Sequence, residues 1–105
     1  MEEKITIEEL QEKIDGWILE HGDYWPPLSM LMAIMEEVGE LARELNYLEG
    51  IKPKKPTERK SNIAEELADL LFSVMCLANY YNIDLNKEMK KALEKYSKRD
   101  AKRFV

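Results

Sequence analysis

The stretch PLSMLMAIMEEVGELARELNYLEG, Pro27–Gly50, decides the fold. Its residues Ile34, Val38, Leu41 and Leu45 recur every three or four positions, which is the spacing of one helix face. Nothing in it alternates with the period of two that a half-buried strand requires. The segment EEVGEL in the middle of this apolar helix, Glu36–Leu41, holds three carboxylates, Glu36, Glu37 and Glu40, together with Gly39, a residue that costs a helix about 1 kcal/mol relative to alanine. Carboxylates are the side chains a packed core tolerates least, so their presence here calls for a cause.

The same acidic phrase returns 29 residues later as EELADL, Glu65–Leu70, with Glu37 in register with Glu66, Glu40 with Asp69 and Leu41 with Leu70. At roughly 100° per residue, the second glutamate of each copy falls about 60° from the reference residue of its apolar stripe, Ile34 or Ile63. The acid three residues later lies one step further round the same side. Each helix therefore carries an i, i+3 carboxylate pair at the edge of its buried stripe. Packing the two helices together lets Glu37, Glu40, Glu66 and Asp69 converge. Four such charges in a partly desolvated site either protonate in part or bind a cation. Hard oxygen donors without His or Cys select Mg²⁺, Mn²⁺ or Ca²⁺.

Working outward, Thr6 and Glu9 form a capping-box pattern ahead of a first helix over roughly residues 7–21, with Leu10, Ile14, Trp17 and Ile18 on its apolar face. The turn GDYWPP leads into the second helix, about 28–48. IKPKKPTERK, with two prolines and five basic residues, is the one clear linker before a third helix running from about 57 or 58 to 81. Asn82 interrupts the pattern, and Asp84 is an N-cap for a more polar fourth helix that buries Leu85, Met89, Leu93 and Tyr96. The expectation is one all-α domain over residues 1–105, an antiparallel four-helix bundle. Met30, Met32, Met35 and Met75 read as core at helical spacing.

A chain of 105 residues with 45% apolar content has the makings of one modest core, and completing it with further copies is a natural route to stability. The lone Cys76 has no intrachain partner, which excludes a disulfide framework and favours a reducing cytoplasm. The acidic start MEEKITIEEL lacks the pattern of a signal peptide, and no apolar run reaches membrane-spanning length. The net charge of −5 argues against nucleic acid as a partner and makes any anionic substrate dependent on a bound cation or a local basic cluster.

The doubled acids resemble a known family. EEVGE at 36–40 is similar to the E-E-x-x-E motif, and ELAD at 66–69 to the E-x-x-D motif, of the MazG-like all-α nucleotide pyrophosphohydrolases. The entry YWPPLSML, the connection KPKKPTE, the LAN at 77–79 and the final KYSKRDAKRF resemble small single-domain members, so the likeness covers most of the chain. It implies Mg²⁺-dependent, or Mn²⁺-dependent, hydrolysis of a nucleoside triphosphate between its α and β phosphates, with a housekeeping role against unwanted nucleotides. It implies Glu37, Glu40, Glu66 and Asp69 as metal ligands and Glu36 as an outer ligand or as the group that orients or deprotonates water. Lys95 and Arg99 would complete the phosphate clamp, and Asn79 would reach sugar or phosphate. Trp17, Trp25 and Tyr47 offer faces for stacking a base. The likeness also implies a homodimer or homotetramer.

Two other readings stand beside this one. The first is a pyrophosphohydrolase of a specialised nucleotide such as phosphoribosyl-ATP. The second is a non-enzymatic helical adaptor whose acids are surface charges or a structural metal site. A di-iron carboxylate bundle is disfavoured because the Glu-x-x-His pattern is missing. His21, the single histidine, suits the C-terminal end of a helix.

Overall fold

The computed structural model describes residues 3–50 and 62–99, which form four α-helices and, among the described residues, no strand. The expected basic linker therefore lies outside the described residues, with Lys52, Lys54, Lys55, Arg59 and Lys60. Among the described residues no helix is long and apolar enough to cross a membrane.

Each helix begins where a side chain or proline provides for the unpaired N–H groups of a first turn. Helix α1, Ile7–Glu20, is capped by Thr6, whose Oγ1 accepts from the Glu9 N–H at 3.1 Å while its hydroxyl donates to Glu9 Oε1 at 3.0 Å. Helix α2, Pro27–Leu48, opens with Pro27, which has a helical φ built in and no N–H to leave unpaired. It stops at Gly50, whose φ of +73° is the left-handed conformation that only glycine adopts without strain.

Helix α3 spans Ile63–Tyr80, and the start expected at 57 or 58 lies outside the described residues. Asn62 Oδ1 accepts from the Glu65 N–H at 2.9 Å and so caps the first turn. Residues 57–61 lie outside the described residues. Asn82, with φ +55°, ends the element as anticipated, and Asp84 Oδ1 accepts from the N–H groups of Asn86 at 2.9 Å and Lys87 at 3.3 Å to start helix α4, Leu85–Arg99.

The chain forms two compact units. In the first, α1 joins the last turn of α3 and α4. Its centre is an amide rather than a hydrocarbon. Gln11, 7% exposed, donates through Nε2 to Asn79 Oδ1 and to the Ile83 carbonyl, both at 2.9 Å, and accepts at Oε1 from the Leu85 N–H at 2.9 Å. Asn79 Nδ2 returns a bond to the Gln11 carbonyl at 3.0 Å. One side chain thus satisfies groups on three segments, which is the condition for burying an amide without loss. Ile14 and Ala78 are buried in the same unit.

The fourth helix departs from expectation here. Leu85 is half-buried, but Met89, Tyr96 and above all Leu93, 70% exposed, face outward. Helical periodicity correctly grouped these residues on one stripe. Among the described residues of this unit the stripe beyond Leu85 is left largely exposed.

The second unit joins α2 to α3 as far as Leu77. Met30, Met75 and Cys76 are buried there, and burial pushes the Cys76 thiol pKa up, consistent with an inert core thiol. Met32 and Met35, expected in the core, are exposed, since α2 is apolar over more of its circumference than one neighbouring helix covers. Among the described residues a Cβ built at Gly39 meets nothing within 4 Å, so no close approach there requires the glycine. Gly39→Ala is therefore expected to raise stability by about 1 kcal/mol, the helix-propensity difference. A chemical denaturation midpoint that is unchanged or lower would show that the position needs its space.

Candidate active site

The acids converge within the second unit. Glu37 of α2 and Glu66 and Asp69 of α3 each offer a carboxylate oxygen, and these atoms lie within 4.8 Å of one another. The arrangement follows from the register read in the sequence: both pairs lie at the edges of apolar stripes, and the packing of α2 on α3 turns those edges together. Burial is graded across the trio. Glu66 is 7% exposed, Glu37 half-buried and Asp69 exposed.

Partial burial raises the Glu37 carboxyl above its ordinary value of 4.5, and the carboxylates of Asp69, Glu66, Glu40 and Glu36 raise it further, in that order. Glu40 lies outside the close trio, on an exposed part of α2, yet is near enough to act on Glu37. Glu36 is exposed on the same helix. A group of hard oxygen donors whose charges oppose one another fits a divalent cation of the Mg²⁺ or Mn²⁺ kind, since a cation reverses the repulsion that burial intensifies. The donor set favours oxygen-seeking metals over Zn²⁺ or copper, which prefer His or Cys.

The other candidates are found in several places. Tyr47, half-buried near the end of α2, holds the Arg43 guanidinium 5.8 Å from its ring centroid and accepts from Arg43 Nε at 3.2 Å. Trp25, just before α2, is 63% exposed. Trp17 belongs to the first unit and is 52% exposed, stacked on His21 with ring centroids 4.3 Å apart. His21 Nδ1 lies 2.7 Å from the Trp17 carbonyl. The apolar face of α1 therefore ends in an open aromatic pair rather than in core.

Lys95 and Arg99 brace one ring in α4, with Lys95 Nζ 4.7 Å and Arg99 Cζ 5.0 Å from the centroid of Tyr96. Asn79 has both ends of its amide engaged with Gln11. It borders a hollow of about 230 Å³ whose walls include Glu8, Glu12, Asp15 and Asp84, a field that disfavours phosphate at that position. The sequence reading missed Gln11 and Arg43. Gln11 could have been found as a polar residue three positions before Ile14 on the apolar side of α1, and Arg43 as the single basic residue of α2.

Residues 26–104 match the MazG nucleotide pyrophosphohydrolase domain family. The chain belongs to that family. It is 39% identical over 101 residues to the protein YpjD of Bacillus subtilis (strain 168), covering 95% of this chain and 91% of that protein. The crystal structure of a Bacillus-conserved MazG protein, a nucleotide pyrophosphohydrolase, superposes with a TM-score of 0.77 at 38% identity, covering 95% of this chain and 97% of that one. The nucleoside triphosphate pyrophosphohydrolase/pyrophosphatase MazG of Thermotoga maritima is 30% identical over 105 residues, which is 92% of this chain and 41% of that protein. The chain is accordingly a MazG-family nucleotide pyrophosphohydrolase, an all-α hydrolase, and its acidic cluster is the kind of site a metal-dependent member requires.

Proposed function

We propose that this MazG-family enzyme hydrolyses a nucleoside or deoxynucleoside triphosphate between the α and β phosphates in a Mg²⁺-dependent reaction, with Mn²⁺ as a substitute. The products are the nucleoside monophosphate and pyrophosphate, and the role is removal of unwanted or excess nucleotides. The observation that carries this reading is the convergence of Glu37, Glu66 and Asp69 within 4.8 Å from a doubled acidic phrase. The triphosphate activity in the name of the Thermotoga maritima relative supports the substrate class.

A bound divalent cation supplies charge neutralisation and water activation at this site. Glu37, Glu66 and Asp69 would hold it, with Glu40 as a further ligand from α2. Glu36 orients the attacking water and accepts its proton as the anhydride oxygen leaves with pyrophosphate. Lys95 and Arg99 are proposed as further cations for the phosphates, Trp25, Tyr47 and Trp17 as candidate stacking faces for the base, and Asn79 as a sugar contact.

The whole chain is proposed as one functional domain, active in the cytoplasm as a homodimer or homotetramer. Support for assembly comes from apolar side chains left open on both units, Leu93 and Met89 on one and Met35 and Leu71 on the other. Light scattering during gel filtration is expected to give two or four chain masses, and Leu93→Glu to reduce that mass. A monomeric wild-type protein would remove the assembly.

Pyrophosphate release from a panel of standard and modified nucleoside triphosphates, with Mg²⁺ and then with excess chelator, tests the activity. Chelator-sensitive formation of monophosphate and pyrophosphate is the expected result. Folded protein that turns over none of them with metal present would reject the substrate class.

A further inference from the structure

Between Asp69 and the end of its unit at Leu77, α3 carries one polar side chain, the hydroxyl of Ser73. Counted from Ile63, Glu66, Ser73 and Asp69 lie about 60°, 80° and 120° round the helix on the same side, so Ser73 falls between the two acids in angle. It stands about 6 Å along the axis from Asp69, one helical turn, where i, i+4 side chains are neighbours. Exposure follows the same order as the angles: Glu66 is buried, Ser73 half-buried and Asp69 exposed. Ser73 therefore belongs to the edge of α3 that brings Glu66 and Asp69 to Glu37, in the same unit as the trio.

A serine inside a helix commonly returns its hydroxyl to the carbonyl four residues back. Among the described residues Ser73 makes no such bond, so its O–H is open to a group that enters the site. The offset of 29 residues carries the comparison of the helices further, since Glu44 of α2 stands in register with Ser73 as Glu37 does with Glu66 and Glu40 with Asp69. An ionised carboxylate only accepts hydrogen bonds, whereas a hydroxyl donates one, so of these two matched positions Ser73 is the one that suits an anion. In the antiparallel pair the two positions lie toward opposite ends of the trio. At the Ser73 end α2 contributes Ala33, four residues before Glu37 and half-buried, so the side chains flanking the acids there are both short.

We propose that Ser73 is a substrate-contacting residue of this site, its Oγ donating to a phosphate oxygen of the nucleotide beside the Glu37, Glu66 and Asp69 carboxylates. The proposal rests on the pyrophosphohydrolase reading above and gives the substrate a direction. The phosphate chain runs along the site toward the C-terminal end of α3, away from the Glu44 end. A hydrogen bond to a charged phosphate oxygen is stronger than one between neutral groups, which makes the share of a single hydroxyl measurable.

The test uses Ser73→Ala, which deletes the hydroxyl, with Ser29→Ala, at an exposed serine of the first turn of α2, as control. Calorimetry in Mg²⁺ measures binding of the non-hydrolysable α,β-methylene analogues of the four common ribonucleoside triphosphates, and thermal melting measures the stabilisation by Mg²⁺ alone. For the analogue that the wild type binds most tightly, Ser73→Ala is expected to raise Kd about tenfold and Ser29→Ala to leave it unchanged. The gain in Tm from Mg²⁺ alone is expected to be the same in Ser73→Ala as in the wild type, and metal-free stability equal or higher, because alanine is the better helix former. A serine that merely packed between the helices or supported the carboxylates would lower stability or the Mg²⁺ gain, and that result overturns the contact. Equal analogue affinity in wild type and Ser73→Ala overturns it whether or not turnover is seen. Wild-type protein that binds an analogue through Ser73 but hydrolyses no triphosphate overturns the hydrolytic reading and leaves the contact standing. No binding of any analogue to the wild type overturns both.

Discussion

Glu66→Gln is expected to lower kcat/KM for Mg²⁺-dependent pyrophosphate release by roughly three orders of magnitude, because a lost ligand removes several kcal/mol of charge stabilisation and each 1.36 kcal/mol is tenfold. Glu66 is the most buried member of the trio, and its oxygen lies within 4.8 Å of those of Glu37 and Asp69. The amide preserves shape and removes the charge, so the loss reads ligand chemistry rather than packing. Glu49→Gln, at the exposed end of α2, is the matched control and is expected to stay within twofold of wild type. In metal-free buffer Glu66→Gln should unfold at or above the wild-type temperature, since one of the mutually repelling charges is gone. A Glu66→Gln enzyme that keeps a tenth or more of its activity would remove Glu66 from the ligand set.

The second large effect concerns stability and pH. Glu37 has a carboxyl pKa held above the ordinary 4.5 by partial burial and by the charges of Asp69, Glu66, Glu40 and Glu36. A raised carboxylate pKa means that the unfolded chain gives up its proton first as pH climbs, so the native state binds more protons and stability falls. The decline starts near 4.5, where the unfolded group titrates, and ends once pH passes the raised native value. Below that window Glu37 is protonated in both states and contributes nothing. With chelator present, wild type and Glu37→Gln should therefore melt alike near pH 4 and diverge toward neutral pH, with the variant the more stable.

Added Mg²⁺ should reverse that order. Binding to the native state at one hundred times Kd adds about 2.7 kcal/mol, and for a chain of this size that is a rise in Tm on the order of 10 °C or more. Glu37→Gln, lacking a ligand, should gain far less. Parallel wild-type and variant melting curves across pH, with no metal-dependent crossing, would show that the carboxylates are surface charges with no cation between them.

Much of this was legible from the chain alone because helices are local objects. Thr6, Pro27 and Asp84 marked three helix starts through chemistry confined to a single turn, and Asn82 marked an end by its tolerance of positive φ. The doubled phrase at an offset of 29 residues announced the site, since identical wheel positions on two helices bring the same edges together when their stripes pack. The capping bond from the Glu65 N–H to Asn62 marks the first turn of α3 as described, while the start expected at 57 or 58 lies outside the described residues.

By itself, then, the sequence determined the helices, their stripes and the pairing of the two acidic motifs. Only the tertiary structure decided which stripes find cover. Periodicity specifies the angle between residues around an axis but not which neighbour stands at that angle, so Met30 and Met75 are buried while Met32, Met35 and Leu93 are exposed. It also decided that Glu37, Glu66 and Asp69 close up while Glu40 stays outside the trio, and that Gln11 rather than an apolar residue joins α1, the end of α3 and the start of α4. Those outcomes depend on distances between segments remote in the chain, where ångström differences settle a carboxylate's charge and an amide's partners, and no local pattern carries that information.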